Sequence, residues 1–133
     1  MENFTNLLTT LKSTYPQFSF KKGKKFAFRP PKTIIFGPYE PHAELLLLHE
    51  LGHATLGETT FKTDVERLKI ESKAWNQAKN LAASLNITFD QSFAENKLDS
   101  YRDWLHQKSL CKTCGLTRFQ TADGKYHCPK CDS

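Results

Sequence analysis

The sequence predicts an α+β protein with about four helices, a small three-stranded antiparallel sheet and a cysteine-rich β-hairpin at its C-terminal end. Apolar residues recur at helical spacing in four segments, and short alternating or β-branched runs lie between residues 18 and 36. Beyond Cys111 the aliphatic content falls and two cysteine pairs appear. A length of 133 residues allows one compact domain with a small appendage, so we expect domains at residues 1–109 and 110–133.

The first third of the chain predicts one helix and the sheet. Apolar residues at helical spacing predict a helix over residues 2–14, and Pro16 ends it. Residues 18–20 and 26–28 alternate apolar with small side chains and flank a basic run centred on Gly23, which indicates a hairpin. The β-branched segment KTIIF at residues 32–36 predicts the third strand.

Three further helices are predicted from local start signals. These signals are Pro41, the capping-box pair Thr63 and Glu66, and a second such pair, Ser92 and Glu95. The expected ends of the three helices are near Gly57, Asn86 and Leu110.

Composition and charge limit the classes of function. The apolar run at residues 45–48 is far too short to span a membrane, and the N-terminus lacks the pattern of a secretory signal. We therefore expect a cytoplasmic protein without membrane association, whose cysteines stay reduced and favour metal binding over disulfides. The net charge of +5 includes the basic run at residues 21–25, which is either a solvated turn or a patch for an anionic ligand.

The segment LLLLHELGHATLGE at residues 45–58 contains a complete H-E-x-x-H motif. On a helix, His49 and His53 lie on one face one turn apart, so both imidazoles can bind one metal ion. Glu50 is rotated away from the ion but can reach a water beside it, as a general base must. The leucines supply the apolar side that packs this helix on a core.

A third metal ligand is needed for a catalytic zinc site. One class of zinc peptidases continues the motif with Gly and His at the positions where this chain has Leu56 and Thr59, so that class is excluded. The other large class takes a glutamate from a following helix. Glu71 is the expected third ligand, and Glu66 and Glu58 are the alternatives.

The two cysteine pairs predict a second zinc site. Cys111 and Cys114 are separated from Cys128 and Cys131 by 13 residues, and a turn at Asp123-Gly124 predicts a β-hairpin between them. Four thiolates at this spacing are typical of a closed structural zinc site in a zinc ribbon. A redox dithiol or another soft metal such as iron is the alternative.

The H-E-x-x-H motif followed by Glu71-x-x-Ala74 resembles the arrangement in gluzincin metallopeptidases, and the small size resembles minigluzincins and ImmA/IrrE-type peptidases. The resemblance covers about residues 15–90. It implies a zincin-like fold of a few helices and a short sheet, with an edge strand above the active-site helix. Residues 32–36 are expected to form that edge strand.

The same resemblance implies roles for individual residues. His49, His53 and Glu71 would bind the catalytic zinc, and Glu50 would act as base and acid. Many gluzincins have Asp or Asn four residues after the ligand glutamate, where it orients a metal histidine. This chain departs from that pattern, since it has Trp75 there.

The sequence therefore predicts a zinc-dependent endopeptidase that cleaves a cytoplasmic protein or peptide and binds two zinc ions, one catalytic and one structural. The donor for the oxyanion is left open among His106, Tyr101, Arg102 and Tyr39. The alternative is a catalytically weak or inactive zinc protein that binds protein or nucleic acid through its ribbon. Nucleic acid is a possible partner but not the favoured one.

Overall fold

The computed structural model of the chain describes residues 2–57 and 60–131. The elements in chain order are α1 (Glu2–Thr14), β1 (Ser19–Lys22), β2 (Ala27–Arg29), β3 (Thr33–Phe36), α2 (Ala43–Leu56), α3 (Asp64–Ser84), α4 (Gln91–Ser109), β4 (Phe119–Gln120) and β5 (Tyr126–His127). The α+β class, the four helices and the small three-stranded sheet are confirmed.

The chain divides into two compact units. The first contains residues 1–59 and 73–90, and the second contains residues 60–72 and 91–133. Helix α3 is continuous and contributes residues to both units. The predicted domain boundary between residues 109 and 110 stays a prediction.

The sheet of the first unit is mixed, so the antiparallel prediction was wrong. Its order is β1-β3-β2, with β3 parallel to β1 and antiparallel to β2. The expected hairpin of β1 and β2 around Gly23 does not form, because β3 lies between the two strands. Ile34 in β3 is fully buried, and the strand with the most β-branched apolar residues takes the centre of the sheet. Residues 32–36 are consequently not an edge strand.

Helix α2 is the apolar centre of the first unit. Leu47, Leu48 and Leu51 are fully buried, and the helix contacts β2, β3 and α1. The predicted end at Gly57 is confirmed: this glycine has φ of 72°, and its N–H donates to the carbonyl of His53. The helix starts at Ala43, two residues after Pro41.

The other helix boundaries agree with their sequence signals to within a few residues. Helix α1 spans the predicted residues. The N–H of Glu66 donates to Thr63 Oγ1 at 3.3 Å, which caps α3 as expected. Asn86 follows the end of α3 with φ of 57°. Helix α4 begins at Gln91, so Ser92 lies inside the helix and is not its cap.

The second unit contains helix α4 and the cysteine-rich hairpin. Strands β4 and β5 are antiparallel, and Gly124 adopts φ of 86° in the turn between them. Among the residues that the structure describes, none of the helices combines the length and apolar content that crossing a bilayer requires.

Candidate metal centres

Helix α2 places both motif histidines on one face. The ring centroids of His49 and His53 are 4.7 Å apart. The Glu50 carboxylate lies 3.2 Å from Nδ1 of His49, and the side chains of both residues are about nine-tenths buried. Donation from Nδ1–H to Glu50 would leave Nε2 of His49 as the ring atom able to bind an ion.

Gly52 allows α2 to approach α3 closely. A Cβ atom at Gly52 would lie 2.6 Å from the carbonyl oxygen of Ala74, a backbone atom. Two residues with small or absent side chains thus meet where the helices cross. A glycine inside a helix is either tolerated there or required by a close approach, and the contact with Ala74 supports the close approach.

The structure brings Glu71 together with the two histidines. One ligand atom from each of His49, His53 and Glu71 lies within 4.8 Å of the others, and we name this group the histidine cluster. Zinc with nitrogen and oxygen ligands at about 2.0–2.1 Å holds them about 3.3 Å apart in a tetrahedron. Binding would therefore draw these atoms together by at most about 1.5 Å. Two imidazoles and a carboxylate are a donor set that fits zinc.

Of the two alternative third ligands, Glu66 does not join this cluster in the structure. The Glu66 carboxylate accepts a hydrogen bond of 3.0 Å from the N–H of Lys62, so Glu66 caps the start of α3. Glu58 lies outside the described residues.

Trp75 occupies the place where many gluzincins carry an orienting Asp or Asn. Its indole stacks on the imidazole of His49, with ring centroids 4.3 Å apart and an angle of 6° between the ring planes. Trp75 is 3% exposed. A buried parallel stack fixes the plane of the imidazole. A carboxylate that is hydrogen-bonded to a metal-binding histidine also fixes the orientation of the ring.

Tyr101 on α4 contacts the carboxylate of Glu71. Burial, the negative charge of Glu71 and a hydrogen bond to it raise the pKa of Tyr101 to about 12. The hydroxyl therefore stays protonated at neutral pH and donates to Glu71. Of the four predicted oxyanion donors, Tyr101 is the one that contacts a residue of the histidine cluster directly.

The other three predicted oxyanion donors are exposed, and two of them form other contacts. Arg102 is half-exposed and forms ion pairs with Glu95 and Asp99 at 2.9 and 2.8 Å. Tyr39 is 47% exposed and packs its ring against Phe4. His106 is exposed on the last turn of α4.

The four cysteines form a second group, the cysteine cluster. Cys114 Sγ lies 3.5 Å from Cys128 Sγ, and Cys111 Sγ lies 4.0 Å from Cys131 Sγ. These separations are far too long for disulfides. Zinc–sulfur bonds of about 2.3 Å place tetrahedral ligands about 3.8 Å apart, so the cluster fits a tetrahedral ion closely.

Backbone N–H groups support thiolates in both halves of the cysteine cluster. The N–H groups of Cys114 and Thr113 donate to the sulfur of Cys111 and lower its pKa to about 6. In the second half, the N–H of Cys131 donates to Cys128 and lowers the pKa of that thiol. Because metals bind the thiolate, these backbone donors favour metal binding at Cys111 and Cys128. At Cys131 the hydrogen bond with Cys114 and burial act in the opposite direction and raise the pKa to about 12.

Asp64, at the start of α3, joins that helix to the cysteine-rich hairpin. Its carboxylate accepts hydrogen bonds from Tyr126 at 2.5 Å and from Lys108 at 2.9 Å. Its N–H donates to the side chain of Gln120 at 2.7 Å. Burial alone would raise the pKa of Asp64, but the bonds from Tyr126 and Lys108 outweigh it and lower the pKa below its usual 3.8.

The stack of Trp75 on His49 and the contact of Asp64 with Tyr126 were not predicted from the sequence. Trp75 was identified as a departure from a pattern, but nothing local shows that its ring lies on His49. Asp64 follows a capping threonine and looks like an ordinary first-turn acid. Its partner Tyr126 is 62 residues away in the sequence, so no local signal could have linked the two.

In comparisons with protein-family models, with curated proteins and with solved structures, nothing matched this chain. The chemical argument therefore rests on the two clusters themselves. A four-cysteine cluster and a group of two histidines and one glutamate could each hold a metal ion.

Proposed function

We propose that this chain is a zinc-dependent peptidase with a gluzincin-like site and a structural zinc ribbon. The observation that carries the proposal is the convergence of His49, His53 and Glu71 on one point, with Glu50 beside them on the same helical turn. A purely structural zinc site has no need of a carboxylate at the position of Glu50.

Zinc held by His49, His53 and Glu71 would act as a Lewis acid, which would lower the pKa of water to about 7 and polarise a peptide carbonyl. Glu50 accepts the proton of the attacking water and returns it to the leaving amine. One oxygen of its carboxylate lies against His49, and the second can accept this proton. The low exposure of Glu50 keeps bulk water from competing for the same position.

Two aromatic residues orient the ligands. The stack of Trp75 fixes the ring of His49 in place of the carboxylate that many gluzincins use. The hydroxyl of Tyr101 holds the carboxylate of Glu71. Tyr101 is also our choice for the oxyanion donor. Because a phenol carries one O–H proton, Tyr101 would have to turn that proton from Glu71 towards the oxyanion to take this role.

An extended substrate pairs with the edge of the sheet in this proposal. Residues 32–36 cannot serve, since β3 is central. Strand β2 is an edge strand and contacts α2, the helix that carries the motif. Strand addition to β2 would supply main-chain hydrogen bonds, which peptides of many different sequences can form.

The cysteine cluster is structural in this proposal, because four thiolates leave no open position on a tetrahedral ion. Its hairpin holds the start of helix α3 through Asp64, and Glu71 lies two turns further along that helix. The ribbon zinc thus supports the element that carries the third catalytic ligand.

The test compares the wild-type chain with Glu50→Gln. Zinc content is measured by elemental analysis, and cleavage is measured by mass spectrometry on a mixed library of peptides. We expect both proteins to bind two zinc ions and only the wild type to cleave. Glu71→Ala, in contrast, should lose one ion and keep the ion of the cysteine cluster.

Equal cleavage by Glu50→Gln would rule out the proposed base. Absence of cleavage by the wild type with both ions bound would favour the non-enzymatic alternative, a zinc protein that acts through binding. Retention of both ions by Glu71→Ala would exclude Glu71 as a ligand.

A further inference from the structure

The positive charge of the chain is concentrated at its N-terminal end. Residues 1–39 contain seven of the 19 lysines and arginines but only one of the 14 acidic residues. Six of these basic side chains belong to the three-stranded sheet or the turns that join its strands, and all six are exposed. They are Lys21, Lys22, Lys24, Lys25, Arg29 and Lys32. The remainder of the chain has nearly balanced charges, so the sheet accounts for the net charge of +5.

Four of these side chains flank β2. Among the described residues β2 pairs with a strand on one side only. Lys24 and Lys25 precede β2 at one end. At the other end Arg29, the last residue of β2, pairs with Thr33 at the start of β3, and Lys32 directly precedes β3. We name β2 with these four residues the basic edge.

The turn that leads into the basic edge is held by backbone contacts. The N–H of Gly23 donates to the carbonyl of Phe36 at 2.9 Å. A Cβ atom at Gly37 would lie 2.8 Å from Cα of Lys25, so the two backbones are in close contact. The backbone at Lys25 is therefore fixed at the end of β3 rather than carried on a loose loop.

We infer that the basic edge binds an extended acidic segment of a protein substrate. This inference rests on the proposed peptidase function and adds the substrate class to it. The outer side of β2 offers main-chain groups for strand addition, and the charges at its two ends select carboxylates. Lys25 and Arg29 are four residues apart, so acidic side chains spaced four positions along the segment meet both ends of the strand.

A peptide fits this surface better than nucleic acid does. Strand addition requires the alternating N–H and C=O groups of a polypeptide, which a phosphodiester chain lacks. The aromatic residues of β1 and β2 are half-buried, so they do not form the exposed stacking platform that single-stranded nucleic acid uses. The segment bound at β2 would lie beside α2, which β2 contacts.

The experiment measures binding to the zinc-loaded full chain with Glu50→Gln, so that cleavage does not interfere. The probe is a short fluorescein-labelled peptide in which glutamates four positions apart are separated by valine and threonine. A second peptide replaces each glutamate with lysine, and a third is N-methylated at alternate residues. A thymidine oligonucleotide is the fourth probe, and anisotropy reports binding.

We expect the acidic peptide to bind about tenfold more tightly than the lysine peptide at low salt, with the difference shrinking as salt is added. The double variant Lys25→Glu with Arg29→Glu should remove this preference. Lys69→Glu with Lys79→Glu makes the same change in net charge on exposed positions of α3 and should preserve it.

Several results would overturn the inference. An equal loss of binding in the two double variants would mean that net charge alone attracts the peptide. Undiminished binding of the N-methylated peptide would exclude strand addition. Tighter binding of the oligonucleotide would assign the surface to nucleic acid. Because the readout is binding, the inference can fail while the wild type still cleaves neutral peptides, and it can hold if cleavage is absent.

Discussion

Replacing Gly52 with alanine has two opposing effects on stability, one through helix propensity and one through the packing of α2 against α3. Glycine in a helix interior is about 1 kcal/mol less favourable than alanine, so helix propensity predicts that Gly52→Ala stabilises the protein. The packing of α2 against α3 predicts the opposite. The added Cβ would lie 2.6 Å from the carbonyl oxygen of Ala74 and 3.4 Å from its carbonyl carbon.

The magnitude follows from the contact. A carbon and an oxygen normally approach to about 3.3 Å, so the helices must separate locally by about 0.7 Å. The carbonyl belongs to the backbone of α3 and cannot rotate away as a side chain could. Overpacking of this kind typically costs about 1–3 kcal/mol. The gain in helix propensity offsets about 1 kcal/mol of this cost. We therefore expect Gly52→Ala to lower the free energy of unfolding by up to about 2 kcal/mol.

The assay is urea denaturation followed by circular dichroism at a fixed zinc concentration. Asn76, an exposed residue inside α3, supplies the control. The difference between Asn76→Ala and Asn76→Gly measures the propensity effect without a packing contact, and it should favour alanine by about 1 kcal/mol. Zinc content gives a second readout, since separation of the helices should weaken the histidine cluster and leave the cysteine cluster unchanged.

The reasoning is refuted if Gly52→Ala is more stable than the wild type by the amount measured at Asn76. That result would mean that α2 and α3 tolerate the methyl group and that the close approach at Ala74 is not required.

Three further predictions concern the side chains around the two clusters. Trp75→Phe should weaken zinc binding at His49 by about 10–100-fold in a chelator competition. Trp104→Phe should not, because Trp104 is half-exposed and its ring lies against the cations of Arg67 and Lys108. Equal affinities of both variants would show that the stack does not orient the ring. Tyr126→Phe should lower the free energy of unfolding at pH 7 by about 1.5–3 kcal/mol, since it removes a hydrogen bond to a buried carboxylate. The pKa of Asp64 is lowered in the folded chain, so this stability is present above pH 3.8 and is lost as the pH falls through the lower folded value. The difference between variant and wild type should therefore shrink in acid, and a constant difference would contradict the assignment. Removal of zinc by a strong chelator should abolish amide-exchange protection in the hairpin of β4 and β5 while the three-stranded sheet stays protected, and a hairpin that remains protected without metal would show that it folds unaided.

Much of the fold could be predicted from the sequence because its signals are local. The apolar repeat and Pro16 predict α1 at the residues where it forms, and a glycine in the left-handed conformation ends α2 at Gly57 as expected. The cysteine spacing and the turn at Gly124 predict the hairpin. Each of these signals acts over a few residues, where propensity and steric limits on the backbone decide the outcome.

The strand order could not be predicted in this way. The alternating segments around Gly23 fit a hairpin, and no local feature argues against one. Burial of Ile34 at the centre of the sheet decides the pairing instead, and this gain appears only when α2 covers the sheet. As a result, β2 is the edge strand that we propose for substrate binding, and residues 32–36, the edge strand expected from the sequence, are not.

The sequence by itself determined the chemistry available to this protein. His49, Glu50 and His53 lie on one helical turn because the helix repeat places them there, and four cysteines in two pairs favour a soft metal. Only the tertiary structure decided which glutamate meets the histidines, that Trp75 stacks on His49, and that Asp64 holds the hairpin. These contacts join distant parts of the chain, and their energies depend on burial and distance, which local patterns do not contain.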